Sequence, residues 1–312
     1  MNAFFSEELL VSAFKRAFTE LQSESAVASV TFHEYVKEKY WPYFLSKKRS
    51  DAAIDAEKLR INVLLSIIPL NWKLTAITEN DLEVVLNKVS KRRTAKGFIS
   101  SATVNRYRSR LLAIFNHAIR EGILLKNPVR SYRKAKETPR KRVLSSDEFN
   151  RFLDACKVSK NKELYDVMAI AYYSGMRLGE IQGLVVSNIK FEQNHIVLNE
   201  WQTKAGRVRT IPIHPFISGI LKERVLGAKD NGGEKLFTFY SIRRAIENAI
   251  KRAGLTDFMC RDLRRTFATR LKNNNANVHT ISSLLGHSSI AMTEKYLGLD
   301  LGVLEKAVAT LE

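Results

Sequence analysis

Four separated segments in the carboxy-terminal half each carry a residue suited to handling a phosphate. In YYSGMRLGEIQGL (172–184), Gly175 ends one predicted helix, Arg177 stands where the next begins, and Glu180 follows one turn later. A helix start offers free backbone N–H donors, and a forked guanidinium beside them is a good place to hold a phosphate. By itself the pair reads better as an i,i+3 contact on a helix surface. In TKAGRVRTIPI (203–213), Lys204 sits at a predicted hairpin tip, where it can reach a ligand that the sheet does not touch. A solvated turn lysine is the ordinary alternative. In CRDLRRTFATRL (260–271), Arg261 and Arg264 share one helical face, while Leu263, Phe267 and Leu271 hold the other in the core. Two guanidiniums converging on one spot repel each other unless an anion lies between them; the alternative is a solvated basic face. In LLGHSSIAMTEKYLGL (284–299), Gly286 breaks a helix, His287 follows in the break, and Tyr296 comes nine residues later. A structural histidine and a core tyrosine would look the same.

The elements that must position these residues are mostly helices. Val104, Tyr107, Leu111, Ile114, Phe115 and Ala118 recur at three- and four-residue steps and mark one buried helical stripe, from which Arg106, Arg108 and Arg110 point away. Gly122 supplies a stop and Asn127-Pro128 confirms it. Further helical patterns lie over 32–44, 55–68 and 79–89. A new helix opens at 144–148 with a serine or aspartate as its cap. A strongly apolar helix spans 163–174, and 195–199 and 207–213 predict two strands joined by a turn around 204–206. Helices dominate after Lys235. The expected fold is mainly α, with a small antiparallel sheet in an α+β carboxy-terminal domain. The expected boundaries are an amphipathic segment over 1–27, a helical domain over 28–130, a basic linker over 131–142 and a second domain over 143–312.

Composition narrows the partner. Fifty-one Lys and Arg against 32 Asp and Glu leave a net charge of +19, on a chain 45% hydrophobic and therefore folded. An excess of that size favours a polyanion, and nucleic acid is the commonest one. The stretch RSYRKAKETPRKR (130–142) holds seven basic residues against one Glu, which predicts a linker lying along a phosphate backbone rather than a merely solvated tether. Within and beside it, Arg106, Arg110, Arg133, Lys134, Lys136, Arg140, Lys141 and Arg142 are the candidate DNA contacts. Two isolated cysteines, Cys156 and Cys260, make neither a disulfide framework nor a zinc site, and the six histidines show no metal-binding pair. No apolar run approaches membrane-spanning length, and 1–21 has amphipathic rather than signal-peptide character. A reducing, cytoplasmic location without a membrane is expected.

In order and spacing, the four segments closely resemble the motifs of the tyrosine recombinase, or phage integrase, family. That pattern is an Arg in a G-x-R-x-x-E context, a hairpin Lys, H-x-L-R-H-T-F-A-T, and L-G-H followed by Tyr nine residues on. The resemblance covers roughly the last 170 residues. Residues 105–129 also resemble the last helix of the family's core-binding domain.

The resemblance implies a helical core-binding domain followed by a recombinase catalytic domain, and it implies roles for individual residues. Arg177 and Arg264 would bind the non-bridging oxygens of the scissile phosphate, stabilising the transition state without a metal. Tyr296 would be the nucleophile, leaving a 3′-phosphotyrosyl enzyme and a free 5′-hydroxyl, so that rejoining needs neither metal nor nucleotide cofactor. Lys204 would protonate the departing 5′-oxygen, His287 would hydrogen-bond the phosphate, and Glu180 would orient its neighbours. Arg261 departs from the pattern, standing where the family usually has His; a guanidinium adds charge but cannot accept a proton near neutrality. Arg265 replaces a second family His. Double-stranded DNA is the implied partner, with an accessory DNA-bending protein as a further candidate. The apolar side of the tail (Leu301, Val303, Leu304, Val308, Leu311) implies self-association into a tetramer on DNA. Integration or excision of a mobile element is the leading expectation. Xer-like resolution or inversion by the same chemistry is the second, and a non-catalytic DNA-binding protein of the same fold the third.

Overall fold

A computed structural model describes residues 30–94, 97–130, 133–137, 140–203 and 206–297, with 295–297 described by their backbone. The expected 1–27 segment, the tail beyond Leu297 and the Lys204 side chain lie outside the described residues. The chain divides between Thr138 and Pro139 into two units, each with its own apolar core.

The amino-terminal unit is built from capped helices. Thr31 opens α1 (Phe32–Tyr35): its hydroxyl accepts the Glu34 N–H, and the Glu34 carboxylate accepts the Thr31 N–H. α1 runs through a π-helical turn (Val36–Tyr40) into α2 (Trp41–Ser46), so the helical pattern over 32–44 is one path with a widened middle. α3 (Asp51–Ile67) and α4 (Glu79–Ser90) follow, the latter opened by a second reciprocal cap between Thr78 and Asp81. Two short strands, β1 (Arg93–Thr94) and β2 (Gly97–Phe98), pair antiparallel before α5 (Ser101–Arg120). That hairpin is absent from the sequence prediction, because two residues per strand carry no readable alternation. The α5 stripe is buried as predicted, with Leu111, Ile114, Phe115 and Ala118 fully enclosed.

Arg110 leaves that stripe and is half-buried, with a 24% exposed side chain. Its guanidinium pairs with Glu57, which is 1% exposed, and its Nη1 donates to the Tyr40 hydroxyl at 3.2 Å. Burial pushes the Glu57 carboxyl upward, and the Arg110 charge opposes that shift. Arg110, expected at DNA, is thus engaged within its own unit, where it shares the buried Glu57 carboxylate with Arg60 at 3.6 Å. Asn105, five residues earlier, accepts the Ala135 N–H at 2.9 Å and donates to the Ala135 carbonyl and to Glu137. The first part of the basic stretch is thus laid along α5 beside the exposed Arg106.

The carboxy-terminal unit begins with α6 (Ser146–Lys157), capped by Ser145 and Glu148. α7 (Leu164–Ser174) is the central apolar helix, and Gly175 ends it at φ +64°. α8 (Leu178–Gln182) leads to a sheet of β3 (Ile189–Lys190), β4 (His195–Leu198) and β5 (Arg209–Pro212), antiparallel in that order. The sequence predicts two of these strands; β3 is again too short to announce itself. The β4–β5 connection is also longer than a tight turn, opening with a 3₁₀ turn (Glu200–Gln202) that Gln202 locks by donating to the Gly183 carbonyl at 2.7 Å. Ile196 and Ile211 face each other across the sheet and bury into the core. Four helices complete the unit: α9 (Pro215–Asp230), α10 (Arg243–Arg252), α11 (Arg261–Asn273) and α12 (Val278–Leu285), with α13 (Ile290–Leu297) following the Gly286 break. Among the described residues no helix is long and apolar enough to cross a membrane.

Candidate active site

Two of the four segments reach the site through a glycine break. Gly175 takes a left-handed conformation, and a Cβ there would sit 2.4 Å from the Phe267 ring, so glycine lets α7 end directly against α11. Arg177 follows as the N-cap of α8. Its backbone N–H donates to Glu180 Oε2 at 2.8 Å and its Nη1 to Oε1 at 2.7 Å, so the carboxylate holds both the turn and the side chain. On α11, Arg261 is exposed at the first position, whereas Arg264 is 5% exposed. Arg264 is therefore not part of a solvated face. Its Nη1 donates to the Gly175 carbonyl at 2.8 Å and its Nη2 to the Leu285 carbonyl.

Gly286 ends α12 at φ +62°, and His287 follows. The His287 ring is oriented by Thr293 of α13: Nδ1 and the fully buried Oγ1 lie 2.7 Å apart. Burial and the guanidiniums of Arg264, Arg177 and Arg209 push the His287 imidazole down to about 4. Three arginines from two segments, Arg177, Arg261 and Arg264, line one cleft of about 710 Å³ together with Gly286, Ser288 and Met292. Tyr296 belongs to α13, three residues after Thr293.

Two residues that sequence reasoning passed over belong to this arrangement. Thr293 is one. The other is Arg209, 6% exposed, at the start of β5. Its Nη2 donates to Glu180 Oε2 at 2.6 Å and its Nη1 to the Leu285 carbonyl at 2.7 Å. Burial pushes the Glu180 carboxyl upward, but the charge of Arg209 and the hydrogen bonds from Arg177 and Arg209 outweigh it and hold the group below the usual carboxylate range. The signal for Arg209 was legible: it stands in the inward phase of the strand alternation with Ile211 and Ile213. A charge in that phase needs a buried partner.

The second part of the basic stretch is committed to carboxylates. Arg140 donates through Nε and Nη2 to Asp262 and through Nη1 to Asp257 at 2.6 Å. Arg142 pairs with Glu148. Both are expected on DNA from the sequence; with side chains 32% and 22% exposed, they also fasten the entry of the carboxy-terminal unit to the start of α11 and to the α6 cap. Arg106, Arg133, Lys134, Lys136 and Lys141 are exposed.

The sequence profile of the phage integrase family matches residues 142–301, more than half of the chain. The chain belongs to the phage integrase family. Its members, the tyrosine recombinases, are DNA-cleaving and -rejoining enzymes. A tyrosine recombinase of Thermosipho africanus is 23% identical over 264 residues, covering 80% of this chain and 90% of the relative. The tyrosine recombinase XerC of Alcanivorax borkumensis is 27% identical over 220 residues, covering 64% and 70%. Among solved structures, a lambda integrase (75–356) dimer bound to a COC′ core site superposes with a TM-score of 0.68 at 25% identity, covering 84% of this chain and 97% of that one. A lambda integrase tetramer bound to a Holliday junction gives 0.70 at 22% identity, covering 94% and 87%. The mainly helical fold with a small antiparallel sheet is the one these integrases share.

Proposed function

We propose that this recombinase cleaves and rejoins double-stranded DNA through a 3′-phosphotyrosyl intermediate on Tyr296. The observation that carries the proposal is the convergence of Arg177, Arg261 and Arg264 on one cleft beside His287. Such a cluster is stable in proportion to the anion it holds, and guanidiniums stay charged at any working pH. In this reading Arg177 and Arg264 grip the non-bridging oxygens of the scissile phosphate, which matches charge developing in the transition state. The Tyr296 oxygen attacks phosphorus, the bond to the 5′-oxygen breaks, and Lys204 gives that oxygen a proton. His287 hydrogen-bonds the phosphate, Arg261 adds charge, and Glu180 holds Arg177 in place. The phosphodiester energy stays in the phosphotyrosine, so the reverse attack rejoins the strand without metal or nucleotide.

The residues over 28–130 would act as a core-type DNA-binding domain, with Arg106, Arg133, Lys134, Lys136 and Lys141 as its and the linker's phosphate contacts and 143–312 as the catalytic domain. Assembly into a tetramer on DNA is supported by the lambda integrase tetramer on a Holliday junction, and the apolar side of the tail is the candidate for the contact. An accessory bending protein remains a candidate partner. The biological outcome we favour is integration or excision of a mobile element, and a putative integrase of Pseudomonas phage Pf1, 29% identical over 205 residues, supports it. Resolution or inversion by the same chemistry is a second reading, favoured by the similarity to XerC.

The test is a labelled duplex carrying a candidate attachment site and a nick that traps cleavage, incubated without metal or nucleotide. A denaturant-stable adduct with the wild-type chain, absent for Tyr296→Phe, is the expected result. Tight DNA binding with no adduct, after site and nick position have been varied, would overturn it in favour of a binding protein that has kept the fold.

A further inference from the structure

Arg209 touches each of the segments that build the site except the one that carries Arg264, and it meets that one through a shared acceptor. From β5 it reaches Glu180 of α8 and the Leu285 carbonyl at the end of α12. Glu180 passes the restraint to Arg177 through two hydrogen bonds. The Leu285 carbonyl is also an acceptor for Arg264, which in turn ties to the Gly175 carbonyl. The next residue is Gly286, and a Cβ there would come 2.6 Å from Arg209 Nη1 and 2.9 Å from its Cδ. Glycine at that position is therefore demanded twice, by the backbone at φ +62° and by the arginine lying against it. Arg209 itself faces the adjoining cleft of about 320 Å³, which His287 and Arg207 also line.

We propose that Arg209 is a positioning residue for strand cleavage: it fixes Glu180 and the Leu285 carbonyl together, and so sets Arg177, Arg264 and His287 at their spacing before DNA arrives. This rests on the phosphotyrosine reading above. The contrast with Arg110 shows why burial alone is not the argument. Arg110 pairs with a buried glutamate just as closely, but its partners, Glu57 and Tyr40, are core residues of the other unit. Every polar partner of Arg209 that the structure shows is one bond away from a residue lining the arginine cleft or from His287. The fork matters as well as the charge. One guanidinium satisfies both Glu180 oxygens and a carbonyl on a different element, with Nη1 shared between Glu180 Oε1 at 3.4 Å and Leu285 at 2.7 Å. An ammonium is a point donor and cannot reproduce that plane.

The experiment uses the full chain, the nicked duplex, and the variants Arg209→Lys and Arg209→Met. Three quantities are read: DNA affinity, the first-order rate of adduct formation at saturating DNA, and the unfolding midpoint. A misplacement of catalytic groups by about 1 Å costs on the order of a hundredfold in rate. The expected result is an adduct rate lowered roughly a hundredfold for Arg209→Met, with DNA affinity changed by less than about threefold. For Arg209→Lys the loss is expected to be roughly tenfold, a partial rescue in a chain that keeps the charge and stays folded. Should Arg209→Met not fold, the lysine variant decides alone. A wild-type adduct rate in a folded lysine variant, or a loss of rate that only follows a loss of DNA affinity, would overturn the proposal. An adduct absent from the wild type as well would instead count against the phosphotyrosine reading itself.

Discussion

Replacing Gly286 by alanine separates two costs that the structure superimposes. The first is backbone: an L-residue held in the left-handed region loses about 1–2 kcal/mol. The second is steric, because the new Cβ would stand 2.6 Å from Arg209 Nη1, 2.9 Å from Cδ and 3.4 Å from Cζ. A flexible side-chain end could swing away, but this guanidinium is held by Glu180 on one side and the Leu285 carbonyl on the other. Overpacking against a fixed neighbour costs about 1–3 kcal/mol more, for a total of about 2–5 kcal/mol. Gly232 is the control. It sits at φ +64° with nothing within 4 Å of an added Cβ, so Gly232→Ala carries the backbone cost alone, about 1–2 kcal/mol. Urea unfolding followed by circular dichroism, with hydrogen exchange of the α12 amides to assign the transition, measures both. Gly286→Ala is expected to be the more destabilised and to form adduct more slowly. If the two variants agree within about 0.5 kcal/mol, the ordinary scatter of surface substitutions, Arg209 is not held where the geometry has it and the reasoning fails.

Four further outcomes are expected. Arg110→Met should destabilise the amino-terminal unit by about 1–3 kcal/mol, since it leaves Glu57, at 1% exposure, with Arg60 at 3.6 Å as its remaining ion pair among the described residues; thermal unfolding checks it, and a DNA-affinity change without a stability change would favour Arg110 as a DNA contact. The folded His287 sits near 4 against the ordinary 6.5, so between those values the unfolded chain takes up a proton that the folded chain does not. Stability should therefore fall as pH drops from about 6.5 to about 4, and urea midpoints across that window should flatten for His287→Gln. Neutralising Arg133 or Lys136 should reduce the slope of log affinity against log salt by about one, whereas Arg140→Gln should lower stability instead, because Asp262 is 2% exposed. Arg261→His introduces a group able to accept a proton, and a new limb should appear between pH 6 and 7, by about the ordinary histidine value, in the rate of adduct formation; an unchanged profile would mean that the position supplies charge alone.

Much of the fold was legible because long amphipathic helices announce themselves. The α5 stripe, the serine cap before α6, and the glycine stops at 175 and 286 all follow from local rules that neighbouring residues cannot easily overrule. The two-residue strands β1, β2 and β3 could not be read, since pairing with a partner, not their own pattern, makes them strands. The same distinction separates the arginines. Arg177 and Arg264 were legible through their surroundings in the chain, a helix start and a face shared with Arg261. Whether Arg110, Arg140 and Arg142 meet DNA or a carboxylate depends on Glu57, Asp257, Asp262 and Glu148, and all but Glu148 lie far away in sequence. Basic composition reports how much positive charge a chain carries, and long-range folding decides how much of it is left for a partner.

That division has a consequence for the site itself. Arg177, Arg261 and Arg264 line one cleft, and the buried carboxylate of Glu180 is shared by Arg177 and Arg209. The hydrogen bonds of Arg264 to Gly175 and Leu285 run to backbone carbonyls, which orient a guanidinium without cancelling its charge. Guanidiniums brought together on one cleft repel one another in general, and an anion between them relieves that repulsion. Preorganisation of this kind places the cost in the empty enzyme, so that it need not be met when the transition state forms. It also ties stability to occupancy, because whatever binds the folded chain alone stabilises it in proportion to the logarithm of its concentration over its dissociation constant. Substitutions that remove a guanidinium from the cleft should then lessen its mutual repulsion while making the chain a poorer catalyst, and Arg261, exposed where Arg264 is buried, is the position where that exchange is easiest to observe by comparing urea midpoints and adduct rates of Arg261→Gln with the wild type.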